Sequence, residues 1–334
     1  SSNNIVIGNK LQDILFGIYL MRSSGNVISR NEITGRRELE AGERGAGLHL
    51  WDSSNNLLEE NIISYTRDGM YIQSSSGNTA RRNSVSNLRY GLHYMSSDDN
   101  SFEGNLFTGN IAGAAIMYSR RIQLRGNSFL RNRGFSSFGI LFQDCDDITV
   151  ENNFIIDNTC GVFLEALRKG SFAHNVIADN DVAMEVFGSA DQCVFRQNNY
   201  VENLSPLLLV GSGTNTRWES NYWSDYDGYD LDENGQGDNP HKIQNIFEYL
   251  EANYPRLRIY LSSPAAQALA NAEKAFPIIH TADVRDPSPA IRPYQLNYPF
   301  RVESTRPASR LVFGIIAFVV CISAMVALLK RGIK

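Results

Sequence analysis

The chain has 334 residues and a net charge of −5, with 31 basic against 36 acidic side chains. A general nucleic-acid binder would present a basic surface, so that class and a nucleic-acid partner are excluded. Its four cysteines, Cys145, Cys160, Cys193 and Cys321, show no C-x-x-C spacing, which excludes a zinc knot and leaves buried apolar thiols as the reading.

The chain opens at Ser1 without an initiator methionine or a signal peptide. Because a later segment predicts export, the sequence is expected to be a processed or truncated product. A repeat then dominates. Gly47, Gly69, Gly91, Gly113, Gly139 and Gly161 are spaced by 22, 22, 22, 26 and 22 residues, the longer step falling at residues 134–138. Fourteen residues after each stands an asparagine, and with Asn9, Asn31, Asn198 and Asn221 these make a ten-member column.

Within each repeat the residues one and three places after the glycine are apolar, as at Leu92 and Tyr94, while those between them differ. Alternation with period two describes a strand with one buried face. A short repeat of this kind without a helical period predicts an all-β, right-handed parallel β-helix with coils of about 22 residues over 1–221. Asparagine suits its corners because it tolerates the left-handed turn conformation and its stacked amides can form a ladder. Stacking also places Asp98-Asp99, Arg120-Arg121, Asp146-Asp147 and Arg168-Lys169 in one ladder of alternating sign, which penalises a slip by one coil.

The stretch NYWSDYDGYDLDENGQGD (221–238) ends the repeat. Residues 222–242 read as a capping loop, with Tyr222, Trp223, Tyr226 and Tyr229 over the open end. Asp230, Asp232, Asn234, Gln236 and Asp238 match the first half of a calcium loop, D-x-D-x-N-G. Position twelve is His241 instead of glutamate, and the alternative is a turn whose side chains cap backbone amides. Residues 243–276 predict a C-terminal helical cap, from an Asn245/Glu248 capping box and an apolar stripe at Ala265, Leu269, Ala272 and Phe276.

Residues 277–310 hold six of the ten prolines and read as an extended linker. Residues 311–329 contain no charge and, at about 1.5 Å each, span roughly 28 Å, which predicts one transmembrane helix. Lys330, Arg331 and Lys334 follow it, so the tail 330–334 is expected in the cytoplasm and everything before Arg310 outside it.

The stretches NYWSDYDGYDLDENGQGDNP (221–240), GLHYM (91–95), AAIMYSRRIQLRGN (114–127) and SSPAAQALANAEKAFPII (262–279) resemble the NosD family. The resemblance covers about residues 1–290. It implies a non-enzymatic periplasmic β-helix protein that helps to mature nitrous oxide reductase, the multicopper enzyme of denitrification. It also implies work beside the membrane and ATPase subunits of an inner-membrane ABC transporter, with a copper chaperone, on the reductase's copper–sulfur site. Two departures stand out: members carry more chain before these coils, and the terminal span is not part of the family pattern.

The outward columns offer a surface for such a role. Two places after the glycines stand Tyr19, His49, Tyr71, His93 and Ala115; four places after stand Met21, Trp51, Gln73, Met95 and Met117. His93, Met95 and Met117 are soft donors suited to transient Cu(I), on backbones roughly 5–7 Å apart. His49, two coils away, is too far to share one ion. An outward strip of Tyr19, Met21, His49, Trp51 and Tyr71 is equally what a protein-docking face looks like. The competing reading is a carbohydrate-binding or polysaccharide-cleaving β-helix, which needs unpaired carboxylates on neighbouring coils; a structural adhesin is a third.

Overall fold

A computed structural model describes residues 1–211, 215–243 and 284–296. Parallel strands stack into one sheet of 17 strands and another of ten. Residues 22 apart face each other, as in Leu92↔Ala114 and Met95↔Met117, and the longer coil shifts the step to 26 at Ala114↔Ile140. This is the parallel β-solenoid that the repeat predicts. A further coil, between Asn31 and Asn61, spans 30 residues and carries a short 3-10 turn at Ala41–Glu43.

The alternation decides what is buried. Leu92 and Tyr94 are fully buried while His93 and Met95 between and after them face outward, half-buried. Column by column the interior is filled by residues such as Ile72, Tyr94, Ile116, Phe142 and Leu164. Each large apolar side chain removed from water contributes roughly 1.5–3 kcal/mol. Cys145, Cys160 and Cys193 are buried within or beside this core.

The corners differ from expectation in an instructive way. No member of the asparagine column has a positive φ; the residue before each one does, as at Arg82 (φ 53°), Gly104 (φ 61°), Asn152 (φ 55°) and Ser220 (φ 54°). The asparagines are therefore selected for hydrogen bonding, and their predecessors absorb the left-handed strain, of order 1–3 kcal/mol for a residue other than glycine. Each asparagine Oδ1 accepts both the backbone N–H and the side-chain N–H of the asparagine one coil earlier, as Asn127 does from Asn105, both at 2.9 Å. Two further ladders, Asn4 to Asn100 and Asn110 to Asn203, build other corners, again each after a left-handed residue.

The glycine column lets coils approach. A Cβ on Gly113 would lie 2.5 Å from the carbonyl oxygen of Gly139. We expect Gly113→Ala to lower stability by roughly 1–3 kcal/mol in urea unfolding, the scale of an overpacked core. An unchanged midpoint would mean that neighbouring coils separate freely.

At the C-terminal end Trp223 is buried and stacks on Tyr200 at 4.1 Å, and Trp218 stacks on Phe195 at 4.1 Å. Tyr226 packs against the core, but Tyr229 does not cap the end: it is exposed. Residues 284–296 cross this end, with Arg285–Asp286 pairing antiparallel to His241–Lys242. Asp286 is wholly buried and accepts from Asn221, so it occupies the rung after the last column asparagine.

Residues 244–276, the membrane span and the tail lie outside the described residues, as does the linker except for 284–296. Among the described residues no helix is long and apolar enough to cross a membrane.

Candidate functional site

Strand register sets the outward columns. Tyr19, His49, Tyr71 and His93 are consecutive partners, and so are Met21, Trp51, Gln73, Met95 and Met117. Strand spacing is close to the centroid separation of offset-stacked rings, and the four rings of the first column have centroids 4.4, 4.5 and 4.4 Å apart. Tyr71 thus stands between His49 and His93, which keeps the two imidazoles from meeting at one ion. Of the residues read as a docking strip, Tyr19 and Met21 are exposed at one end of the stack, and Arg22 covers Trp51 at 5.3 Å.

Beneath the stack lies a charge that sequence reading does not single out. The Asp68 carboxylate is fully buried, in a column that continues through Tyr90, Ala112, Phe138, Cys160, Val182 and Ser205. Arg89 grips it with both ends of its guanidinium, Nε to Oδ1 at 2.9 Å and Nη2 to Oδ2 at 2.8 Å. Arg67 Nε lies 3.5 Å from the same Oδ2, and His93 Nδ1 is 3.1 Å from it. Burial alone pushes this carboxyl up, but hydrogen bonds from His93 and Arg89 outweigh it and hold Asp68 below its ordinary value. An ionised carboxylate can only accept, so the His93 Nδ1 donates to Asp68.

His49 is treated differently by the fold. Its Nε2 is buried without a hydrogen bond, and burial, followed by the Arg67 charge, lowers its imidazole below the ordinary value. It is a ring within the stack.

His93 and Met95 share the strand Tyr90–Met95, two residues apart and therefore on one face, and Met95 is paired directly with Met117 on the next coil. One imidazole and two thioethers suit soft Cu(I), so the donor chemistry fits that metal. Among the described residues no group of three or more His, Cys, Asp or Glu is arranged to hold a metal ion.

The side chains of the acidic loop are hydrogen-bonded within the loop. Asp230 accepts from the backbone N–H groups of Asn234 and Gly235 at 3.1 and 2.8 Å. Asp232 accepts from the Asn234 backbone N–H at 3.3 Å and its amide at 2.9 Å; Asn234 Oδ1 accepts from Gln236 N–H at 2.7 Å; Asp238 accepts from Leu231 N–H at 2.7 Å. The side chains read as calcium ligands cap the turn's own backbone, the alternative that the sequence leaves open, and nothing in the geometry supports calcium.

Two of the outer carboxylates are paired with arginines on neighbouring coils. Asp99 is bound twice by Arg121, at 2.5 and 2.8 Å, and Asp146 is paired with Arg168.

A family model described as "Periplasmic copper-binding protein (NosD)" matches residues 30–228. The chain is 36% identical over 310 residues to a protein of Pseudomonas aeruginosa named "Probable ABC transporter binding protein NosD", covering 87% of this chain and 72% of that one. It is 34% identical over 306 residues to a protein of the same name from Stutzerimonas stutzeri, covering 86% and 69%. Among solved structures, the A-module of an Azotobacter vinelandii mannuronan C-5 epimerase is similar with a TM-score of 0.54 at 19% identity, over 66% of this chain and 68% of that one. A periplasmic alginate epimerase is similar with a TM-score of 0.54 at 14% identity, over 65% and 59%. At such identities these likenesses concern the fold alone.

Proposed function

Because the chain belongs to the NosD family, we propose that it is a non-enzymatic periplasmic maturation factor for nitrous oxide reductase that works beside an ABC transporter. In this reading Cu(I) is cargo, held transiently by His93, Met95 and Met117. The observation that carries it is the pairing of Met95 with Met117 on the face that also presents His93. The family's description as periplasmic and copper-binding supports the metal, and the relatives' name supports the transporter. The strip of Tyr19, Met21, His49, Trp51 and Tyr71 lies beside these donors and serves docking, to the reductase, a copper chaperone or the transporter. Residues 311–329 anchor the chain in the inner membrane, with 330–334 in the cytoplasm.

The pairing of Asp99 and Asp146 with arginines weighs against polysaccharide cleavage, which needs carboxylates free to act on a sugar. The test is Cu(I) titration of the full chain against a competing chelator, with wild type and a Met95→Ala/Met117→Ala double variant. Loss of both thioethers should weaken binding at least about tenfold, since a soft ion loses two of its three donors. Equal affinity would remove this face as the copper site.

A further inference from the structure

We propose that Asp68 is a positioning residue for copper: it holds His93 in the Nδ1-protonated form with a fixed ring, so that Nε2 is the ligating nitrogen. This rests on the copper reading of the His93–Met95–Met117 face and assigns it a residue from outside the outward columns.

Asp68 is out of place as a structural residue. The positions stacked with it one to three coils later hold Tyr90, Ala112 and Phe138. A buried charge carries a desolvation penalty of several kcal/mol unless it is paired and hydrogen-bonded. Arg89 meets both carboxylate oxygens in a bidentate grip, which balances the charge and fixes the plane of the group. With that plane fixed, Oδ2 is presented to His93 Nδ1 at 3.1 Å.

The His93 ring is itself held in place. Tyr71 stacks on His93 at 4.4 Å and 14°, and Tyr90 meets it edge-on at 5.1 Å. Arg89, which grips Asp68, also lies over the Tyr90 ring at 4.5 Å. The imidazole is thus held on two sides by rings and at Nδ1 by a carboxylate, with its side chain 14% exposed. A histidine that ligates a metal through one nitrogen and gives its other N–H to a carboxylate has its tautomer and orientation set in advance and is a more basic donor. His49, in the same column, instead has its Nε2 buried without a hydrogen bond. The fold gives this support to the one histidine that shares a strand with Met95.

The experiment uses the full chain as wild type, Asp68→Ala, His93→Ala and the double variant. Cu(I) affinity is read by chelator competition, and the copper ligands by X-ray absorption. Asp68→Ala should weaken binding about 10–100-fold and lose the nitrogen contribution while keeping sulfur. In the His93→Ala background it should have no further effect, because its influence passes through that ring. Unchanged affinity and an unchanged nitrogen contribution in Asp68→Ala would overturn the proposal. If the Met95→Ala/Met117→Ala protein still binds less tightly than wild type, the copper face survives that failure; if not, the copper reading itself falls. A second measurement needs no variant: nitrogen NMR of the wild type in mildly alkaline buffer should find His93 protonated at Nδ1 and bare at Nε2. The opposite tautomer overturns the proposal whatever the variants do.

Discussion

Asp286→Ala is expected to be the most damaging single substitution, lowering stability by roughly 3–5 kcal/mol and releasing residues 284–296 from the solenoid end. The reason lies in how a ladder of amides stops. Each column asparagine donates forward and so needs an acceptor on the next coil; another asparagine there only passes the requirement on. A carboxylate ends the series because it accepts without donating. Asp286 Oδ2 takes the backbone N–H and the side-chain amide of Asn221 at 2.8 and 2.9 Å, and lies 3.3 Å from Trp223 Nε1. Its Oδ1 takes the Ser220 N–H at 3.0 Å. Alanine leaves several buried donors without acceptors, each worth about 1–3 kcal/mol. Asp286→Asn keeps an acceptor oxygen and should lose markedly less. Urea unfolding followed by the fluorescence of Trp218 and Trp223, with hydrogen exchange over 284–296, reads both effects. An alanine variant with the wild-type midpoint and a protected segment would show that the ladder needs no terminator.

The coil length, the inward alternation and the adjacency of His93, Met95 and Met117 are all legible in the sequence, because in a solenoid a constant period converts spacing directly into contact. Asp68 is not, since its partners break that period: Arg89 is 21 residues away and His93 is 25. The available signal is that an acid stands one place before Gly69, where Tyr90 and Ala112 stand before Gly91 and Gly113. Asp286 is less accessible still, lying 65 residues beyond the Asn221 it satisfies. The role of the corner asparagines is half legible. Their period shows that they stack, but the left-handed strain falls on preceding residues as varied as Arg30, Glu60 and His174, which share no chemistry that a sequence displays. The acidic loop is legible only as a pattern of residue types. Spacing of Asp230, Asp232 and Asn234 that would converge on an ion also suits a turn binding its own amides, and residue type alone does not choose between them.

The same distinction between inner and outer ladders yields the second large expected effect. Asn153→Ala should lower stability by roughly 2–4 kcal/mol, whereas Arg125→Ala, which removes a partner of Glu151 at 3.3 Å, should change it by no more than about 1 kcal/mol. Both side chains link neighbouring coils, and both belong to rows that run along the solenoid. Asn153 is completely buried: its Oδ1 accepts from Asn127 N–H and amide at 2.9 and 3.0 Å, and its amide donates to Leu124 O and Asn175 Oδ1 at 2.8 and 3.0 Å. Truncation leaves those groups where water cannot replace the lost partner. Arg125 and Glu151 reach solvent, and water takes over when one of them is removed. Because a solenoid is held by nearest-neighbour interfaces, the asparagine change should also weaken the coupling between coils on either side of it. Unfolding of Asn153→Ala should therefore broaden, with hydrogen exchange in coils up to Arg125 separating from that of coils beyond Ser171. Equal losses in the two variants, with cooperativity intact, would mean that the buried amides only fill space and that the coils are held by their apolar interior alone.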